Sequence, residues 1–142
     1  MALFEAQQLH KRFGDRVVLE EINLSFEAGQ LSGIMGPNGA GKTTCFNVLT
    51  GRYKPNRGKV LFDGEDITDL TQKEMLPYRK RMQMIFQDPY ASLNGRMTVT
   101  DIIGEGIDTH NLYEGKQRQE RIYYLLERVG LKREHANRYP PE

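Results

Sequence analysis

Apolar and polar residues alternate weakly over residues 3–9 and clearly over 22–27, where Ile22, Leu24 and Phe26 are separated by Asn23, Ser25 and Glu27. A repeat of two marks a half-buried strand. The Gly14-Asp15 pair between the runs predicts a turn, and with it an antiparallel hairpin. After Ala28-Gly29, residues 30–35 predict a short strand that leads into a glycine-rich loop at 36–41. Residues 42–50 then predict a helix, because Cys45, Val48 and Leu49 recur at helical spacing and Gly51 stops the run.

Further along, Val60-Leu61-Phe62 runs into Asp63-Gly64, which predicts a strand over 58–63 closed by a turn. Thr71 and Glu74 form a capping-box pattern that opens a short helix, in which Pro77 limits regular backbone bonding. Residues 82–86 predict another apolar strand. Beyond Asp88-Pro89 the period becomes helical. Val99, Ile102, Ile103 and Ile107 form one stripe, and Ile122, Leu125, Leu126 and Val129 a second. The stripes are expected to pack on each other, giving a core region at 1–91 and a helical subdomain at 92–142. Pro140 and Pro141 break the last helix, so the chain reads as interrupted there.

The chain has 142 residues, 38% hydrophobic and 27% charged, enough to bury a core and without the charge excess of a disordered chain. Its 20 basic and 19 acidic residues leave a net charge of +1, which argues against a generally cationic nucleic-acid binder. Phosphate contacts must therefore be local. Arg118, Arg121, Arg128, Lys132 and Arg133 sit among Glu114, Glu120, Glu127 and Glu134 as a solvated, ion-paired face. No run reaches the roughly 18 apolar residues of a membrane span, and residues 1–11 lack a secretory apolar segment, so a cytoplasmic protein is expected. Cys45 has no disulfide partner, and His10, His110 and His135 lie too far apart in sequence for a metal-site spacing.

Gly36-Pro37-Asn38-Gly39-Ala40-Gly41-Lys42-Thr43 fits G-x-x-x-x-G-K-[ST] at every fixed position, between a predicted strand and a predicted helix. Glycines permit the positive-φ turns that turn successive N–H groups inward, and the helix N-terminus adds its positive dipole end. Gly36, Asn38, Gly39, Ala40, Gly41, Lys42, Thr43 and Thr44 are thus the candidate nucleotide-binding set. Lys42 is expected at the β- and γ-phosphates, and the Thr43 hydroxyl on Mg²⁺, a hard ion that prefers oxygen.

Together with further motifs, this loop resembles the nucleotide-binding domain of ABC transporters along essentially the whole chain. Lys11-Arg12-Phe13-Gly14 is similar to the A-loop, which implies Phe13 as the platform that stacks adenine; a core role in the hairpin is the alternative. Residues 84–89, Met-Ile-Phe-Gln-Asp-Pro, resemble the Q-loop, which implies Gln87 at Mg²⁺ or the attacking water. Asp63 and Asp88 each follow apolar residues but read as turn residues rather than as a Walker B carboxylate. The Walker B run with its catalytic Glu, the Leu-Ser-Gly-Gly-Gln signature, the D-loop and the switch His occur nowhere in the chain.

The resemblance implies an α/β fold of P-loop NTPase type, with N-terminal antiparallel strands and a C-terminal helical subdomain, cut before the signature and Walker B. It implies ATP and Mg²⁺ as ligands. It also implies membrane-spanning transporter subunits and a second ATP-binding subunit as partners, at the inner face of the membrane, with residues 90–107 as a candidate docking face. Residues up to about 68 resemble branched-chain amino-acid and urea importer ATPases, and the remainder dipeptide and oligopeptide importer ATPases, so a seam is expected between Asp66 and Gln72. Gly95 and Ser32 are expected to loosen packing, Ser32 as a polar residue in a buried strand. Competing readings are an engineered or chimeric α/β domain that keeps the loop without activity, and a P-loop phosphotransferase.

Overall fold

The computed structural model describes residues 2–88 and 90–140, so Pro89 of the Q-loop-like motif and Pro141 of the terminal Pro pair lie outside the described residues. The chain divides into two compact units, 1–82 and 83–142, with Gln87 in the second.

In the first unit, β1 (Ala2–Phe13) and β2 (Arg16–Glu27) form the expected hairpin, and β3 (Arg57–Phe62) and β4 (Glu65–Asp66) complete an antiparallel sheet in the order β2-β1-β3-β4. Gly14 takes φ +60° at the first turn position, the backbone a two-residue hairpin of this kind requires. The weak alternation of β1 has a physical cause. Ala6 and Leu9 are both buried although three residues apart, which a flat strand forbids. Gln8 takes φ +49° and the ladder shifts register there, so a bulge returns Leu9 to the face of Ala6. Opposite the bulge, Gly58 takes φ +92°, and a Cβ there would stand 2.3 Å from the Gln8 carbonyl oxygen.

The sheet buries Ala6, Leu9, Leu19, Val60 and Phe62 against Cys45, Val48 and Leu49 of α1 (Lys42–Leu49), and against Ile67 and Met75. Gly51, at φ +80°, ends α1 as expected. The second helix, α2 (Gln72–Arg79), opens on the expected capping box: Glu74 N–H donates to Thr71 Oγ1 at 3.2 Å, and Thr71 N–H to Glu74 Oε1 at 3.3 Å.

Two predicted strands do not form. Residues 30–35 are irregular, with Leu31 at 104% and Met35 at 95% relative exposure, and Ser32 is exposed rather than buried. Residues 82–86 are irregular too, with Ile85 at 93%. An apolar run becomes a strand only when a neighbour takes its N–H and C=O groups, and no described strand pairs with either run.

In the second unit, α3 (Val99–Thr109) and α4 (Gly115–Arg128) pack with a 3₁₀ turn at Arg133–Asn137. Ile107, Ile122, Leu126 and Ala136 are buried together, with Val99, Ile103 and Tyr123 against them. Val99, Ile103 and Ile107 of the first stripe and Ile122 and Leu126 of the second therefore share one core, Ile102 and Leu125 are not part of it, and Val129 lies past the end of α4 and is exposed. Thr98 and Asp101 cap α3 with a second capping box. Gly104 leaves room for Arg118, whose guanidinium holds Asp108 through bonds of 2.7 and 2.9 Å. Arg133 pairs with Glu127 at 3.2 Å, in keeping with an ion-paired face. Gly95 lies in an exposed turn with open space around its Cα.

Candidate nucleotide-binding site

The phosphate loop runs from Gly36 to the first turn of α1. Gly39 and Gly41 take φ +85° and +95°, the left-handed backbone that glycine adopts without strain. Gly41 is the N-cap of α1, and no side chain caps that helix. The first-turn N–H groups of Lys42, Thr43 and Thr44 are thus left for a ligand or water. Cys45 N–H already donates to the Gly41 carbonyl at 2.8 Å. The Lys42 ammonium folds back over the loop, donating to the carbonyl of Gly36 and, at 3.3 Å, to that of Pro37. Thr43 is exposed and Thr44 half-buried. An uncapped helix end, glycines in the left-handed region and a cation turned across the loop together fit an anion.

The loop is braced from β2, a support the residue pattern did not reveal. A Cβ at Gly41 would meet the Val18 carbonyl oxygen at 3.0 Å and Leu19 Cδ2 at 3.1 Å. The hairpin that carries Phe13 therefore abuts the loop that carries Lys42. Phe13 is 46% exposed at the end of β1, too open to be a core residue. A cavity of about 460 Å³ beside the hairpin is lined by Lys11, Arg12, His10 and Arg57, with Val17, Leu19, Asn56 and a single carboxylate, Glu20.

Asn56 fastens this end of the sheet across a long stretch of sequence. Its Oδ1 accepts the Arg12 N–H at 2.8 Å, and its own N–H donates to the His10 carbonyl at 2.8 Å. Beside it, the Tyr53 ring stands 5.5 Å from the Phe13 ring at 78°, and Lys11 Nζ lies 5.1 Å from the Phe13 centroid. Tyr53 was not legible as part of the site, because only the turn after α1 brings it back to the hairpin, and Lys11 was legible only as a member of the A-loop-like motif.

The structure brings Phe13, Gly36, Asn38, Gly39, Ala40, Gly41, Lys42, Thr43 and Thr44 into the first unit, whereas Gln87 is an exposed residue of the second. Asp63 and Asp88 each make contacts within the chain. Asp63 occupies the β3–β4 turn at φ +51° and pairs with Arg81 at 3.0 Å, and Asp88 Oδ1 accepts the Tyr90 and Ala91 N–H groups at 3.0 and 3.2 Å. Among the described residues no cluster of three or more His, Cys, Asp or Glu is placed to hold a metal. Burial pushes the Cys45 thiol pKa up. Among the described residues no helix is long and apolar enough to cross a membrane.

Residues 19–141 match the ABC transporter family. Among curated proteins, the oligopeptide transport ATP-binding protein OppF of Bacillus subtilis is 43% identical over 99% of this chain and 48% of its own length. The dipeptide transport ATP-binding protein DppF of Lactococcus lactis is 41% identical over 91% of the chain and 42% of its own. The chain thus spans about half the length of the curated relatives it matches. The OppF alignment runs through residues 66–72, so one group of importer ATPases covers both sides of the expected seam. Among solved structures, cbiO1 from Clostridium perfringens superposes with a TM-score of 0.73 and 28% identity, over 96% of this chain and 53% of that one. The ATP-binding cassette MJ0796, solved as a dimer bound to ADP and Pi, gives 0.78 and 25% over 97% and 62%. This chain belongs to the ABC transporter family, with an ATP-binding domain homologous to those of oligopeptide and dipeptide importer ATPases.

Proposed function

We propose that the chain binds Mg-ATP as part of the ATP-binding subunit of a peptide importer. The observation that carries this reading is the uncapped N-terminus of α1, preceded by Gly39 and Gly41 in the left-handed region and crossed by the Lys42 ammonium. In this reading Phe13 stacks the adenine, the N–H groups of residues 39–43 and Lys42 hold the phosphates, and the Thr43 hydroxyl and Gln87 are ligands for Mg²⁺. Gly36, Asn38, Ala40 and Thr44 shape the cradle. The metal would supply charge neutralisation at the β- and γ-phosphates.

Hydrolysis asks more of the protein. A water must be held in line with the γ-phosphate, and a base must take its proton as charge develops on the leaving oxygens. The 142 residues hold no apolar run ending in Asp-Glu and no signature sequence. The chain by itself is therefore expected to bind Mg-ATP and turn it over slowly or not at all. Its partners in this reading are membrane-spanning subunits and a second ATP-binding subunit, at the cytoplasmic face of a membrane. The names of OppF and DppF as transport ATP-binding proteins, and the dimeric state of the MJ0796 cassette, support that assignment.

The test is calorimetric titration with Mg-ATP of the parent chain and of Lys42→Ala, with a thermal melt of each. Micromolar binding, about −8 kcal/mol, that disappears in the variant is the expected result. A cooperatively folded parent chain that takes up no Mg-ATP would reject the proposal. It would favour the reading of an inactive domain that retains its loop, a reading otherwise supported by the exposure of Leu31, Met35 and Ile85.

A further inference from the structure

We infer that Tyr53 and Lys11 are positioning residues for the Phe13 ring, holding it in the orientation in which a nucleobase stacks; this rests on the reading of Phe13 as the base platform. Phe13 is half-exposed at the end of β1, where a ring keeps one torsion only if its neighbours hold it. Two side chains supply the restraint. The Tyr53 ring stands at 78° to it, 5.5 Å between centroids, an edge-on geometry that aromatic pairs prefer. The Lys11 ammonium lies 5.1 Å from the Phe13 centroid and 5.9 Å from that of Tyr53, within reach of both quadrupoles.

Both restraints are themselves anchored. Lys11 Nζ donates to the Lys54 carbonyl at 2.8 Å, which ties the cation to the residue after Tyr53. The Tyr53 N–H donates to the Asn47 carbonyl at 3.0 Å, and its side chain packs against the core of the first unit. Tyr53 thus links the C-terminal end of α1, whose N-terminal end holds the phosphate loop, to the aromatic platform on the hairpin. The half-exposed ring still offers surface on which a planar base can stack. Ordering the ring in advance removes an entropy cost that binding would otherwise carry.

The prediction separates the base from the phosphates. Affinities for Mg-ATP and for inorganic tripolyphosphate with Mg²⁺ are measured on the parent chain, Tyr53→Leu, Tyr53→Phe, Lys11→Met and Phe13→Ala. Tyr53→Leu and Lys11→Met should each lower the ratio of ATP to tripolyphosphate affinity by about three- to tenfold, leaving tripolyphosphate binding unchanged. Tyr53→Phe, which keeps the ring, should restore the parent ratio. A parent-like ratio in Tyr53→Leu and Lys11→Met would overturn the inference, and so would an equal loss of both ligands, which marks a merely structural role. If Phe13→Ala itself leaves the ratio unchanged, the base-platform reading falls, a failure distinct from that of Tyr53 and Lys11.

Discussion

Strand β1 and residues 30–35 are both apolar-rich stretches of the first unit, and they end up in opposite conditions. β1 is bonded on both sides, to β2 and to β3, and buries Ala6 and Leu9. Residues 30–35 make no strand pairing among the described residues and expose Leu31 and Met35 almost completely. The pattern of side chains is similar, so the difference lies in the backbone's neighbours. A strand is a relation between two segments, and apolar character supplies only one half of it.

The most disruptive way to break the paired side of this comparison is at Gly58. Its φ of +92° is strained for any L side chain, and an added Cβ would meet the Gln8 and Gln7 carbonyl oxygens at 2.3 and 2.5 Å. Both atoms are backbone and cannot swing aside. Gly58→Ala should cost about 3 kcal/mol or more, or prevent folding, as read from urea unfolding. A loss within a few tenths of parent stability would show that the β1–β3 bulge is not needed for the sheet.

Core truncation tests the comparison directly. Leu9 is fully buried, so Leu9→Ala should cost about 3 kcal/mol in the same assay, whereas Leu31→Ala should stay within about 0.5 kcal/mol of the parent. Similar losses at the two sites would mean that residues 30–35 are packed in solution, and would return them to the status of a strand.

What the sequence made legible follows the same division. Signals complete within a few residues were readable: the Gly14-Asp15 turn, the phosphate loop, the Thr71/Glu74 box and the helical stripes all formed. Features that join distant segments were not. The bulge at Gln8 answers Gly58, Asn56 answers Arg12, and Tyr53 answers Phe13, each across some forty residues or more of chain. No periodicity announces such pairs. Residues 82–86 failed as a strand for the reason 30–35 did, and the sequence could not report a missing neighbour.

The capping box on α2 should therefore be insensitive to what happened at 30–35. Thr71→Ala removes the acceptor for the Glu74 N–H and is expected to cost about 1 kcal/mol, visible as a lowered melting temperature. An unchanged melt would show that Glu74 or water replaces the cap, and that this local signal carries less weight than its legibility suggests.

The smallest effect joins the two kinds of evidence, because Asp108 and Arg118 are only ten residues apart yet belong to different helices. Hydrogen bonds from the Arg118 guanidinium hold the Asp108 carboxyl below the usual carboxylate range. A depressed folded-state pKa contributes stability that is fully present above the unfolded value and is lost as pH falls through the folded one. Asp108→Asn should thus melt slightly lower than the parent at neutral pH, with the gap closing below about pH 4. Asp108 is exposed and Arg118 only partly buried, so added salt should shrink the gap at neutral pH as well. A gap that ignores pH and salt would assign Arg118 a packing role across Gly104 instead. The α3–α4 contact would then depend on shape alone, as the sheet of the first unit does at Gly58.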